Sequence, residues 1–152
     1  MMIIKEDEIN TFIPHRYPFD LLRSVEVINQ NQGVGITRLP KNHILFQGHF
    51  PDFPVIPGVL LIEAAAQICG VICAKTSKES ELAQDKVGVL AGVDRFRVTH
   101  PVYPDQEVKI SINIKRNFPT IWTCQAKGSL DSVSVFKATL LLSVLSKKDI
   151  VL

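Results

Sequence analysis

The chain has 152 residues, enough for one domain with a sizeable core, and its 46% hydrophobic and 21% charged residues are an ordinary globular balance. The balance of 17 Lys and Arg against 15 Asp and Glu leaves a net charge of +2, too small to argue for nucleic acid as a partner.

The N-terminus turns acidic at Glu6-Asp7-Glu8, too soon for a secretory signal. Lys5 to Phe12 reads as a short helix ended by Pro14. Leu21–Ile28 and Gly33–Leu39 read as two strands around the polar turn Asn29-Gln30-Asn31-Gln32. An irregular stretch from Pro40 to Pro57 follows, stiffened by Pro51, Pro54 and Pro57. Gly58 to about Lys75 has the length of a helix and is apolar on nearly all sides, which predicts a buried helix. A polar loop is expected over Thr76–Asp85. Strands are then expected at Val87–Val98, Glu107–Arg116, Ile121–Leu130 and Ser134–Ser146, with turns at Asn117-Phe118-Pro119 and Asp131-Ser132.

One buried helix with two strands before it and four after it predicts an α+β domain over 1–152, an antiparallel sheet wrapped around the helix. An open sheet leaves an edge, so a homo-oligomer is expected. The apolar run from Val55 to Ala74 has the composition of a membrane span, but Pro57, Gly58, Glu63 and Gln67 argue against one. Cys69, Cys73 and Cys124 are an odd set with no histidine at ligand spacing. They are expected to be buried free thiols, with no metal site, in a soluble cytoplasmic protein.

Glu63 is the only charged side chain between Phe53 and Ala74. Burying a charged carboxylate is costly, so a lone one on an apolar helix points to chemistry or a dedicated partner. Its helix face carries Val59, Leu60, Ala66, Gln67 and Gly70, mostly small or polar, which leaves room for a ligand. Gly58 opens the helix, where free N–H groups and the dipole can polarise a carbonyl. His49, within Gly48-His49-Phe50-Pro51, can take a proton near neutral pH. A buried Glu63 can stay protonated because desolvation raises a carboxyl pKa. A base and an acid of this kind are what an elimination needs. His15 reads as a structural residue of a packed N-terminal arm, and His43 and His100 carry no signal. No serine-nucleophile elbow or phosphate loop is present.

Pro14-His15-Arg16-Tyr17-Pro18-Phe19, Phe46-Gln47-Gly48-His49-Phe50-Pro51, Pro54-x-x-Pro57-Gly58-Val59 and Glu63-Ala64-x-Ala66-Gln67 resemble, in order and spacing, the FabZ-type (3R)-hydroxyacyl-[acyl carrier protein] dehydratases. Gly92-Val93-Asp94-Arg95-Phe96-Arg97 and Pro101-Val102-x-Pro104 continue the pattern, so the resemblance covers nearly the whole chain. It implies a hot-dog fold, the helix being the sausage and the sheet the bun. It implies a dimer, or a trimer of dimers, in which catalytic residues matching His49 and Glu63 come from opposite subunits. The histidine is then the base at C2 and the glutamate assists departure of the C3 hydroxyl, while an N–H matching Gly58 contacts the thioester carbonyl. No metal or redox cofactor is implied. Glu63 in place of an aspartate favours the non-isomerising branch.

An acyl tunnel along the helix is expected to involve Phe50, Ile56, Val59, Ala66 and Gln67. Arg95, Arg97 and Lys75 are candidates for docking an acidic carrier protein. The chain departs from the family pattern at Asp20-Leu21-Leu22-Arg23-Ser24-Val25, at Pro104-Asp105-Gln106 and at Asp131-Ser132. A housekeeping fatty-acid enzyme and a polyene or polyketide dehydratase both fit these changes. A hot-dog thioesterase and a non-catalytic acyl-binding protein are the alternative functions.

Overall fold

From Val108 to Ile114 every second residue is apolar, with Lys109, Ser111 and Asn113 between them. In the computed structural model these residues belong to strand Val108–Arg116, whose Val108, Ile110, Ile112 and Ile114 are buried while the polar residues face water. The structure describes residues 1–76, 86–146 and 148. Their strands are β1 (Met2–Lys5), β2 (Leu22–Asn29), β3 (Gln32–Thr37), β4 (Lys86–Val98), β5 (Val108–Arg116), β6 (Ile121–Leu130) and β7 (Val133–Ser146). The helices are α1 (Glu6–Ile9) and α2 (Gly58–Thr76), and Ile44–Phe46 forms one 3-10 turn.

All strand pairings are antiparallel, in the order β1-β2-β3-β5-β6-β7-β4. The sheet wraps α2, which packs against β2, β3, β5, β7 and β4. This is the hot-dog arrangement that the resemblance implies. Asp131-Ser132 forms the two-residue turn between β6 and β7, with Leu130 opposite Val133 and Asp131 at φ 50°. α2 is long and apolar enough to cross a membrane, but ten of its residues, Leu60 to Cys73, are buried, so it is the core helix.

Close contact between α2 and the sheet depends on two glycines. A Cβ on Gly35 would lie 2.4 Å from Ile68, and one on Gly33 would lie 2.7 Å from Ile72. Two residues along a strand rise roughly 6.6 Å and four along a helix about 6 Å. The steps match, so each isoleucine finds its own glycine.

The N-terminus differs from the helix expected over Lys5–Phe12. Met2–Lys5 instead pairs with Ser24–Val27 as β1 and buries Ile4 completely. Edge pairing outweighs helix propensity here, and α1 keeps a single turn, with the Glu8 carboxylate accepting from the Lys5 N–H at 3.0 Å. Thr76 belongs to α2 and its hydroxyl donates to the Ile72 carbonyl at 2.7 Å. The rest of the expected Thr76–Asp85 loop lies outside the described residues. All three cysteines are buried free thiols, with the sulfurs of Cys69 and Cys124 2.8 Å apart between α2 and β6.

Candidate active site

Where α2 is not buried, a stripe remains: Val59, Ile62, Glu63, Ala66, Gly70 and Ala74. Most of it borders a cavity of about 520 Å³. The cavity takes Glu63, Ala66, Gln67, Gly70 and Cys73 from α2, Phe12 to His15 from the N-terminal arm, and Lys86 to Leu90 from β4. Trp122 of β6 and Leu142 to Val144 of β7 close it. The Arg116 guanidinium lies 4.7 Å over the Trp122 ring and the Lys75 ammonium 5.7 Å from the Phe12 ring, so two cations flank aromatic walls of the apolar space.

Glu63 is half-buried and does not stand alone. His15 Nε2 lies 3.1 Å from Glu63 Oε1, and Gln67 Nε2 donates to the same oxygen at 2.9 Å. The His15 hydrogen bond, against a smaller opposing effect of burial and with help from Gln67, pulls the Glu63 carboxyl below its ordinary value. The direction runs against the raised carboxyl that burial alone would give: two donors on one oxygen favour the carboxylate form. His15, expected to be merely structural, is the residue that the sequence reading missed. Its place in Pro14-His15-Arg16-Tyr17-Pro18 gave no local sign of this contact, which joins residues far apart in sequence.

His49 lies between the 3-10 turn and α2. Its Nδ1 is 2.9 Å from the Val55 carbonyl oxygen. A carbonyl only accepts, so Nδ1 carries a hydrogen, and in the neutral ring the lone pair is on Nε2, as a base requires. Phe50 packs at a tilt against the His49 ring, with centroids 4.3 Å apart and the planes inclined by 53°, and takes the left-handed backbone at φ 53°. A phenylalanine in that region is uncommon and is held there by its surroundings.

Within one chain His49 does not line the cavity that holds Glu63. Of the other residues expected at the site, Ala66 and Gln67 line that cavity, whereas Gly58, Phe50, Ile56 and Val59 do not. Phe50 (60% exposed) and Val59 (68% exposed) face solvent, and Ile56 is buried in the core. Gly58 opens α2 against the Phe96 ring, which a Cβ at that position would meet at 3.1 Å. Arg95 and Arg97 lie exposed on β4, with Arg95 3.6 Å from Asp94, and Lys75 ends α2. Arg23, part of the departure after Phe19, pairs with Glu6 and donates to the Arg38 carbonyl at 3.1 Å. Asp105, where the family pattern has glycine, sits at φ 66°. Among the described residues no His, Cys, Asp and Glu cluster could hold a metal.

The FabA-like domain family matches residues 13–139. The 3-hydroxyacyl-[acyl-carrier-protein] dehydratase FabZ of Clostridioides difficile (strain 630) is 37% identical over 142 residues, which span 93% of this chain and 97% of that protein. In the dehydratase heterocomplex ApeI:P from Xenorhabdus doucetiae, one chain superposes with a TM-score of 0.75 at 21% identity, over 93% of both chains. A hypothetical thioesterase with coenzyme A from Streptococcus pneumoniae shares the fold at a TM-score of 0.56 and 15% identity, over 80% of this chain and 84% of that one. With a match across most of its length and relatives of nearly equal length, the chain belongs to the FabA-like family, among its FabZ-type dehydratases.

Proposed function

We propose that the protein dehydrates a (3R)-3-hydroxyacyl thioester carried on acyl carrier protein to the trans-2-enoyl thioester and water. The observation that carries this reading is the pairing of motifs around His49, whose Nε2 is free, and Glu63, which faces an apolar cavity, in a chain 37% identical to a FabZ dehydratase. His49 Nε2 takes the C2 proton, the freed electron pair forms the C2=C3 bond, and the C3 hydroxyl departs beside Glu63 as water, completed by the proton that His49 took. The helix-start N–H at Gly58 polarises the thioester carbonyl, which stabilises charge developing there. No metal or redox cofactor enters.

The site is completed by a second copy of the chain. β4 is a 13-residue strand at the edge of the sheet, paired among the described residues only with β7, and Leu90, Val93 and Val98 on it are exposed. A long apolar edge of this kind needs cover. Pairing two β4 edges brings the His49 loop of one protomer, with Phe50 and Val59, towards the Glu63 cavity of the other. The acyl chain then runs along Ala66 and Gln67, with Ile56 supporting the wall from the core. A trimer of such dimers is compatible with this arrangement. Arg95, Arg97 and Lys75 attract the acidic carrier, so the KM for carrier-bound substrate rises with salt. The chain acts as one cytoplasmic domain over 1–152, in fatty-acid or polyene/polyketide-type synthesis.

Turnover of 3-hydroxyacyl thioesters of several chain lengths tests the reading. His49→Ala and Glu63→Gln are each expected to lower kcat by about 10²- to 10⁴-fold. Normal turnover in both variants sinks the assignment. Release of free thiol instead of an enoyl product moves the protein to the thioesterases, and no turnover at any length makes it an acyl-binding protein.

A further inference from the structure

Glu63 has two carboxylate oxygens, and the fold treats them differently. Oε1 takes both protein donors, His15 Nε2 at 3.1 Å and Gln67 Nε2 at 2.9 Å, and no described residue donates to Oε2. The donors are themselves fixed. Gln67 Nε2 also donates to the Phe19 carbonyl at 2.8 Å. The Arg16 guanidinium donates to the carbonyls of Ile13 at 3.1 Å, His15 at 2.7 Å and Asn10 at 3.3 Å, which ties down the backbone around His15. The other ring nitrogen, His15 Nδ1, is buried without a partner. A buried lone pair without a partner is tolerated better than a buried N–H without one, so the hydrogen belongs on Nε2, pointing at Glu63.

We propose that His15 is a positioning residue which, with Gln67, clamps Oε1 of Glu63 so that each turnover begins with a carboxylate offering only Oε2 to the substrate's 3-hydroxyl. This rests on the dehydratase reading above. A carboxylate at the start accepts a hydrogen bond from the hydroxyl and cannot give it a proton. The proton balance then runs through the base: His49 takes the C2 proton, the C2–H electron pair becomes the C2=C3 π bond, the C3–O pair leaves with oxygen, and the proton held by His49 completes the water. Glu63 orients the hydroxyl throughout and ends unchanged.

The other titratable groups around this clamp are few. Cys69, Cys73 and Lys86 border the same cavity, and burial pushes the Cys73 thiol up to about 11, which keeps it neutral. Glu6, Asp7 and Asp20 line a smaller cleft of about 180 Å³ that His15 and Gln67 also border. His49 of a second protomer completes the set.

Carbon-13 NMR of the Glu63 side-chain carboxyl, assigned by its loss in Glu63→Gln, measures the clamp without any substrate. In His15→Leu the titration midpoint is expected to move up, and in His15→Gln, which restores a donor, to return towards wild type. The acidic limb of kcat/KM should move the same way, with kcat falling about 10-fold and KM little changed. An unmoved midpoint in folded His15→Leu overturns the proposal, as does equal movement in the leucine and glutamine variants. If His15→Leu does not fold, Gln67→Met removes the other donor and is read by the same criterion. A wild-type protein inactive on every thioester rejects the dehydratase reading, while the carboxyl titration still decides whether His15 sets the charge of Glu63.

Discussion

Glu63 is legible in the sequence as an oddity, a single acid in an apolar run, but its charge state is not. Burial alone predicts a neutral carboxyl, and the two donors to Oε1 reverse that. One donor, Gln67, is a helical neighbour four residues on and was within reach of periodicity. The other, His15, is 48 residues away in sequence, and no local rule brings it to the carboxyl. The sign for stability follows. The folded carboxyl titrates below its ordinary value of 4.5, so its contribution is complete above 4.5 and is lost as pH falls through the lower folded value. Thermal midpoints of wild type and Glu63→Gln should differ most near neutrality, with wild type higher, and converge as pH is lowered below the ordinary carboxyl value of 4.5. A gap that widens on acidification contradicts the direction of the shift.

The elements follow from periodicity where one face is buried and one is wet. Alternation placed β5, β6 and β7 to within a residue, and uninterrupted apolarity placed α2. β1 was not legible because four residues carry no period, and its partner β2 is what makes it a strand. Gly33 and Gly35 looked like ordinary strand residues. Their purpose appears only when Ile68 and Ile72 arrive from α2. Gly35→Ala should therefore destabilise the protein by about 1–3 kcal/mol through overpacking, even though alanine is not a bulky residue. Denaturant unfolding measures it, and the double variant Gly35→Ala, Ile68→Val should recover part of the loss. An unchanged midpoint in Gly35→Ala removes the helix–glycine seating from the account.

For the assembly as a whole, the proposed site draws on two chains. His49 stands outside the cavity that Glu63 borders, and the edge strand β4 carries exposed apolar residues. Mixing His49→Ala with Glu63→Ala protein under subunit exchange should return about a quarter of wild-type activity, because half the dimers are mixed and each has one intact site. Exchange without recovery places both residues of a site in one chain. Val93→Lys, which puts a charge on the outer edge of β4, should shift the protein towards monomer in light scattering and lower activity with it. A charged variant that stays dimeric and active moves the interface away from β4.

The buried helix, the alternating strands and the motifs around His49, Gly58 and Glu63 are all local, because each depends on neighbours within a turn of helix or a few strand positions. Tertiary structure alone decided which groups touch. The N-terminal arm brings His15 to Glu63, the strand order leaves β4 at an edge, and His49 stays outside the cavity that the carboxylate of its own chain borders. Contacts between residues far apart in sequence depend on the path of the whole chain, and a local pattern holds no record of that path.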